Sequence, residues 1–359
     1  MTDSDYMMCA LREAWSVKGF TAPNPAVGAV IVKDGTILAR GATAPPGGDH
    51  AEVAALAKAG AASHGATMYV TLEPCSHWGR TPPCSDAIIR AGITRVVYAV
   101  EDPNPQVSGR GGAQLRAAGI AVTVGVGREE AQRINEDFFY SISSHKPWVS
   151  VKLALTLDGA IADSWGVSKW ITGTEARQRV HELRGYHRAI AVGAKTLQAD
   201  NPKLTVRHGG GTDPVRIVFS STDEIDRASY FYRHSREVQS ILVVNNSAYS
   251  AGISQKEGIH RWYTGCDDRR EGIQRFLSLA WSEGIDSLFV EGGSGLVGSF
   301  LEARAVNRVY LFYAPQILGG GQKGLVLPPM PMNESLRLTN VTYTQYGEDL
   351  LLSGLLPRT

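Results

Sequence analysis

Two periods of apolar spacing alternate along the first part of the chain. SDYMMCALREAWSV (4–17) repeats its apolar residues every three or four positions, which predicts a helix lying on a core. VGAVIVKDGTILARG (27–41) reads as two strands joined at Asp34-Gly35, a hairpin turn pair. HAEVAALAKAG (50–60) predicts a helix stopped by Gly60. Beyond it, strand patterns in ATMYVTLEP, TRVVYAV and IAVTVGV are separated by helical patterns in CSDAIIRAG and GAQLRAAG. REEAQRINEDFFYSI (128–142) reads as one closing helix. Strands alternating with helices predict a mostly parallel sheet covered on both faces.

The rhythm breaks at Ser143–Pro147, the expected linker, and a second alternation follows. Its strands are WVSVKLAL, RAIAVGA, PVRIVF, SILVV, DSLFVEGG and VNRVYLFYAP, and its helices EARQRVHELRG, EGIQRFLSLAWSEG and GLVGSFLEARA. The tail LTNVTYTQYGEDLLLSGLL is β-rich and is expected to close this second sheet. The pattern predicts two α/β domains, 1–144 and 148–359, in agreement with a chain of 359 residues at roughly 150 per domain.

Composition narrows the function. A hydrophobic share of 43% supports a sizeable core, and a formal net charge of +1 argues against a polyanion-binding surface, so no nucleic-acid partner is expected. A local basic pocket for one phosphate stays open. The first residues carry no basic stretch followed by an apolar run, and no run spans a bilayer, so neither a signal peptide nor a membrane anchor is expected. Four cysteines in a chain of this length make no disulfide framework, and a reducing cytoplasm is the expected compartment.

Candidate chemistry starts at LEPCSHWGRTPPC (72–84), where Cys75 and Cys84 have eight residues between them. They could be a metal pair, a disulfide or two unrelated thiols, and the spacing is not the usual short zinc spacing. Upstream, GGDHAEVAAL places His50 and Glu52 in His-x-Glu. Residues two apart do not share a helix face, so the two converge only if His50 sits at the helix entry. Cys84 follows Pro82-Pro83 at a helix start, where the dipole favours thiolate. His50, Cys75 and Cys84 would give zinc three ligands and leave a fourth position for water, the pattern of a catalytic site. Glu52, not a ligand, would move protons between that water and a leaving amine. His-x-Glu followed by Pro-Cys is the signature of zinc deaminases, with a longer gap between the cysteines.

The gap points to one family. PNPAVGAVIVKDG, HAEVAAL, VTLEPCSHWGRTPPCSDAIIRAGI and DPNPQVSGRG resemble the deaminase half of the bifunctional deaminase/reductase of riboflavin biosynthesis, in which such an insert is normal. The resemblance implies a cytidine-deaminase-like three-layer α/β/α domain. It also implies that Asn24, His77, Arg80, Asp102 and Asn104 line the substrate pocket. Where the family often has Gly-Tyr-His, this chain has Gly41-Ala42-Thr43, which removes one substrate contact.

In the second half Gly293-Ser294-Gly295-Leu296-Val297-Gly298 matches Gly-x-Gly-x-x-Gly between a strand and a helix. It lies late in its domain and lacks the acidic residue about 20 positions on that a Rossmann fold uses. Small residues before a helix still suit a pyrophosphate. VKLALTLDG, SKWITG, VGAKTLQADNPKLTVR and FVEGGSGLVGSFL resemble the reductase half of the same family. That half implies a dihydrofolate-reductase-like α/β domain using NADPH. By resemblance the cofactor is held by Ala154, Trp170, Thr196, Asp200, Ser221 and the loop from Gly293 to Ser299, including Leu296, Val297 and Gly298. The substrate is held by Ser168, Arg184, Leu204, Arg207 and Glu291. Arg184 and Arg207 suit a phosphate, which a guanidinium grips in a fork, and Lys152 adds a further positive contact. Ser220-Ser221 stands where the family often has Asp-Ser.

The resemblance therefore implies two reactions on a small phosphorylated pyrimidine. The first is deamination of 2,5-diamino-6-ribosylamino-4(3H)-pyrimidinone 5′-phosphate with one Zn²⁺ per chain. The second is NADPH reduction of the ribosyl group to ribityl. A homo-oligomer, dimer or tetramer, is expected. The competing readings are a nucleic-acid deaminase, a scaffold that keeps zinc structurally, and an enzyme with one active half.

Overall fold

A computed structural model of the chain describes residues 1–78, 82–104, 108–208 and 210–357. It divides into two compact units, Met1–His145 and a second beginning at Lys146.

In the first unit, α1 (Asp3–Ser16) precedes a hairpin of β1 (Gly28–Lys33) and β2 (Thr36–Ala42). Asp34 and Gly35 turn it with φ of +50° and +78°, as the sequence pair predicts. Then follow α2 (Ala51–Ala59), β3 (Thr67–Val70), α3 (Cys84–Arg90), β4 (Arg95–Tyr98), α4 (Arg110–Ala117) and β5 (Ala121–Val124). The sheet order is β2-β1-β3-β4-β5. Strands β3, β4 and β5 run parallel, whereas β1 is antiparallel to both its neighbours, so the sheet is mixed rather than mostly parallel. The reason is local: a two-residue turn can join only antiparallel strands.

Alternation along β1 builds the layers. Val30 and Val32 meet Met7, Leu11 and Ala14 of α1, while Ala29 and Ile31 meet Ala51 and Ala55 of α2 and Ile88 of α3. The sequence 128–142 forms two helices, α5 (Arg128–Ile134) and α6 (Glu136–Ser144), not one. Asn135 breaks them. Its buried amide accepts from Ala26 N at 2.8 Å and donates to Ala26 O at 2.9 Å, satisfying a loop far away in sequence.

The second unit is a ten-stranded sheet. In chain order its elements are β6 (Trp148–Leu155), β7 (Ala160–Ala162), α7 (Thr174–Gly185), β8 (Ala189–Gly193), α8 (Ala194–Asp200), β9 (Val215–Ser220), α9 (Tyr230–Arg233), β10 (Ser240–Val244), β11 (Gly252–Lys256), β12 (Ile259–Tyr263), α10 (Arg269–Ser282), β13 (Ser287–Val290), α11 (Ser294–Glu302), β14 (Arg308–Tyr313), β15 (Gln322–Lys323), β16 (Thr339–Tyr346) and β17 (Asp349–Leu355). The order is β11-β12-β10-β9-β8-β13-β6-β14-β17-β16, with β7 and β15 paired apart. From β12 to β14 every pair is parallel; the antiparallel pair β11–β12 finishes one side, and the antiparallel pairs β14–β17 and β17–β16 finish the other. The β-rich tail thus extends the sheet as β16 and β17.

Leu288 and Val290 of β13 pack with Phe276 of α10 and Phe300 of α11, whereas Phe289 points to the opposite core with Val180 and Leu183 of α7. Buried on both faces, the parallel strands release their chemistry at their carboxyl ends, where open α/β sheets bind ligands.

Candidate active sites

His50 is the N-cap of α2, with φ −71° and ψ 159°, so its backbone is extended while Glu52 already lies in the first turn. This irregular entry lets residues two apart converge. Cys84 is the first residue of α3, and its backbone N–H donates to Cys75 Sγ at 3.3 Å. His50 Nδ1 lies 3.2 Å from Cys84 Sγ and 3.7 Å from Cys75 Sγ. The three ligand atoms fall within 4.8 Å of one another. Zinc bound tetrahedrally by nitrogen and sulfur sets its ligand atoms about 3.5–3.8 Å apart, so this donor set fits the ion.

Charge supports the same fit. Hydrogen bonding to Cys84, opposed by burial and helped by His50, pulls the Cys75 thiol down to about 4. Hydrogen bonding to Cys75 and burial push Cys84 up instead. Two thiols this close share one proton, and a dication between them lets both be thiolates. The His50 pKa is raised, first by its contact with Cys75. Glu52 is 4% exposed, and burial followed by the Cys75 charge pushes its carboxyl up to about 7. A group so placed can hold or release a proton near neutrality.

Around this cluster the expected wall is only partly described. His77 is exposed, Asn24 is half-buried in the loop before β1, and Arg80 lies outside the described residues. Asp102 accepts from Asn104 N at 2.8 Å, and burial raises its pKa while the charges of His77 and Cys75 also reach it. Thr43 is buried, and its Oγ1 accepts from Val27 N at 3.1 Å, so it is engaged with the hairpin. Sequence reasoning missed Glu73. Its buried carboxylate accepts from the amides of Asp102 (3.2 Å), Gly109 (2.9 Å) and Gly112 (3.1 Å), tying the Asp102 loop and the start of α4 to the strand that leads to Cys75. No sequence signal marks it: a glutamate before Pro-Cys is ordinary until the fold buries it among these amides. Cys9 and Cys266 are buried in the two cores, as structural thiols are.

In the second unit a cavity of about 1250 Å³ opens at the carboxyl ends of β6, β8, β9 and β13. Lys152, Ala154, Ser168, Trp170, Arg184, Thr196, Asp200, Leu204, Arg207, Ser221 and Glu291 all line it, with Gly293, Ser294, Gly295, Leu296 and Ser299 of the glycine loop. Val297 and Gly298 do not. Val297 is fully buried in the core, and Gly298 is buried against the chain after β15, where an added Cβ would meet Val326 O at 2.6 Å. Thr196 Oγ1 accepts from Gly293 N at 3.3 Å, joining α8 to the loop. Trp170 is 68% exposed, with the Arg177 guanidinium 4.5 Å from its ring. Ser220 also lines the cavity, but its Oγ accepts from Thr222 N at 3.0 Å.

The charges of the cavity are unequal in use. Glu291 takes both Arg184 Nε and, at 3.0 Å, Arg184 Nη2, with Lys152 Nζ at 3.7 Å. Burial alone would raise its carboxyl, but Arg184 and then Lys152 outweigh burial and hold it down to about 2. Arg184 Nη1 donates to Thr205 O at 3.1 Å, so this guanidinium is already spoken for. Arg207 has no carboxylate partner among the described residues. Leu204 is buried at φ +56°, a strained conformation for a leucine, beside these groups.

Comparison with known proteins follows this division. Residues 1–100 match the family described as the cytidine and deoxycytidylate deaminase zinc-binding region, and residues 147–352 match the RibD C-terminal domain. The riboflavin biosynthesis protein RibD of Aquifex aeolicus is 42% identical over 351 residues, covering 98% of this chain and 97% of that protein. RibD of Escherichia coli is 39% identical, with 92% of each chain covered. Among solved structures, Acinetobacter baumannii RibD superposes with a TM-score of 0.88 at 31% identity, over 99% of both chains. A Thermotoga maritima diaminohydroxyphosphoribosylaminopyrimidine deaminase/5-amino-6-(5-phosphoribosylamino)uracil reductase superposes with a TM-score of 0.84 at 34% identity, over 99% of this chain and 98% of that one.

Proposed function

The chain belongs to the RibD family of bifunctional riboflavin-biosynthesis enzymes, zinc-dependent in the deaminase half and NADPH-dependent in the reductase half, and from that premise we propose which residues carry the two reactions. The deaminase domain spans 1–144 and the reductase domain 148–359. The observation that carries the first assignment is the convergence of His50, Cys75 and Cys84 beside a buried Glu52.

In the deaminase half, His50, Cys75 and Cys84 hold the ion. Bound there, zinc supplies the Lewis acidity that makes water a nucleophile near neutral pH. Glu52 takes a proton from the attacking water and returns it to the departing amine, a task suited to a carboxyl that burial pushes above its ordinary range. Asn24, His77, Arg80, Asp102 and Asn104 orient the diaminopyrimidine of the ribosylamino phosphate substrate.

In the reductase half, Ala154, Trp170, Thr196, Asp200, Ser221 and the glycine loop hold NADPH, which supplies the reducing equivalent when bound. The loop amides at the start of α11 would suit its phosphates. Ser168, Leu204 and Arg207 hold the phosphoribosylamino-uracil. The Lys152–Glu291–Arg184 cluster fixes donors and acceptors around the sugar, so positioning supplies much of the rate. The protein is further proposed to act in the cytoplasm as a homo-oligomer; among the described residues no helix is long and apolar enough to cross a membrane.

A coupled assay tests the assignment by following ammonia and NADPH separately. Glu52→Ala should abolish ammonia release with zinc content intact and leave reduction of supplied deaminated intermediate unchanged. Ammonia release that survives the substitution refutes the role of Glu52.

A further inference from the structure

The reductase cavity contains a histidine that the foregoing assignment does not use. His181 lies on α7, one turn before Arg184, lines the cavity and is 5% exposed. Its Nδ1 lies 3.3 Å from the backbone N of Arg207, and its Nε2 lies 3.1 Å from Arg207 Nη2. Both of these neighbours are donors. A neutral imidazole has one acceptor nitrogen and one N–H, so it cannot accept from both. As an imidazolium it would face donors on both sides, and burial followed by the charges of Arg184 and Arg207 holds its pKa down to about 4. The backbone N–H of Arg207 is fixed by the chain, whereas the guanidinium can turn. Nδ1 is therefore the acceptor and Nε2 carries the hydrogen.

This tautomer sets an imidazole N–H and a guanidinium N–H side by side on the cavity wall. Arg184, one turn along the same helix, is occupied by Glu291 and Thr205 O. Two adjacent donors repel until one group accepts from both. An anion with two or three exposed oxygens does so, and a phosphomonoester is the strongest such acceptor expected in this site. We propose that His181 is a phosphate-binding residue of the reductase cavity. It donates Nε2–H to an oxygen of the substrate's phosphate alongside Arg207, whose own amide fixes the required tautomer. The proposal rests on the reading that this cavity takes the phosphorylated product of the deamination.

Steady-state reduction by the full chain tests it. The phosphoribosylamino-uracil and its dephosphorylated counterpart serve as alternative substrates, and inorganic phosphate serves as competitive inhibitor. His181→Ala should raise KM for the phosphorylated substrate, and Ki for phosphate, by about tenfold or more, the scale of a lost charge-assisted hydrogen bond. Turnover and KM for NADPH should stay within about twofold, and the dephosphorylated substrate should be unaffected. His181→Gln, whose amide nitrogen can stand where Nε2 stands, should restore most of the phosphate preference. His181→Asn keeps an acceptor for the Arg207 amide but no outer donor, and should not. Equal losses on both substrates, or His181→Asn performing as well as His181→Gln, would show that the ring only braces the Arg207 backbone and would overturn the proposal. A phosphate preference that survives in His181→Ala overturns it too, while leaving the reading of the cavity in place. A wild-type enzyme indifferent to the phosphate overturns that reading and this proposal together.

Discussion

Replacing Glu291 with glutamine is the sharpest test of the charge balance in the reductase cavity. The substitution keeps the shape and removes the carboxylate that, among the described residues, is the one paired with both Arg184 and Lys152, all three being largely buried. The carboxyl is held at about 2 against an ordinary 4.5, a difference of about 2.5 units. At about 1.36 kcal/mol per unit, the folded state gains about 3 kcal/mol from keeping Glu291 ionised. That agrees with the 3–5 kcal/mol typical of breaking a buried ion pair from one side. Because the folded pKa is depressed, the stabilisation is complete above about pH 4.5 and drains away as pH falls toward 2. Glu291→Gln should therefore destabilise the second unit by about 3 kcal/mol at pH 7, and the gap to wild type should narrow below pH 4.5. Hydrogen exchange of peptides covering β13 and α7, measured across that range, isolates this unit from the first. A gap that does not change between pH 7 and pH 3, or one near zero at pH 7, would refute the charge argument.

Other substitutions separate the two halves. Cys84→Ser should remove nearly all zinc and all ammonia release, while reduction of supplied deaminated intermediate continues; metal analysis beside the two assays checks it. Gly111→Ala puts a Cβ 1.9 Å from Pro74 O, too close for the backbone to accept, so the chain leading to Cys75 must move; zinc affinity and deamination should fall with reduction intact. Glu73→Gln supplies one acceptor oxygen where the carboxylate offers two to three amides, and should cost about 1–3 kcal/mol locally, read as faster exchange at Gly109 and Gly112 and a higher KM for the diaminopyrimidine.

What could be read in the residue order was whatever depends on near neighbours. The β1–β2 turn follows from Asp34-Gly35, and the strands of the second unit follow from short β-branched runs buried on both sides. The split between α5 and α6 was not legible, because Asn135 is chosen by Ala26, more than a hundred positions earlier. The same limit governs the sites. His50, Glu52, Cys75 and Cys84 carry their chemistry in type and spacing, so a pattern finds them. Glu73 and His181 do not: each acts through backbone amides supplied by a distant loop. A glutamate before proline and a histidine on an amphipathic helix look ordinary until the fold brings Gly109 and Arg207 to them. Even where a pattern does find residues, it cannot orient them. Gly293 to Ser299 read as one cofactor loop, yet the helical turn sends Val297 into the core and Gly298 against the Val326 backbone, and leaves the others on the cavity. Residue type therefore selects the chemistry, while the long-range hydrogen bonds decide which of the selected groups can reach a ligand. In this chain that second step ties Arg184 to Glu291 and leaves Arg207 lining the cavity with no carboxylate partner among the described residues.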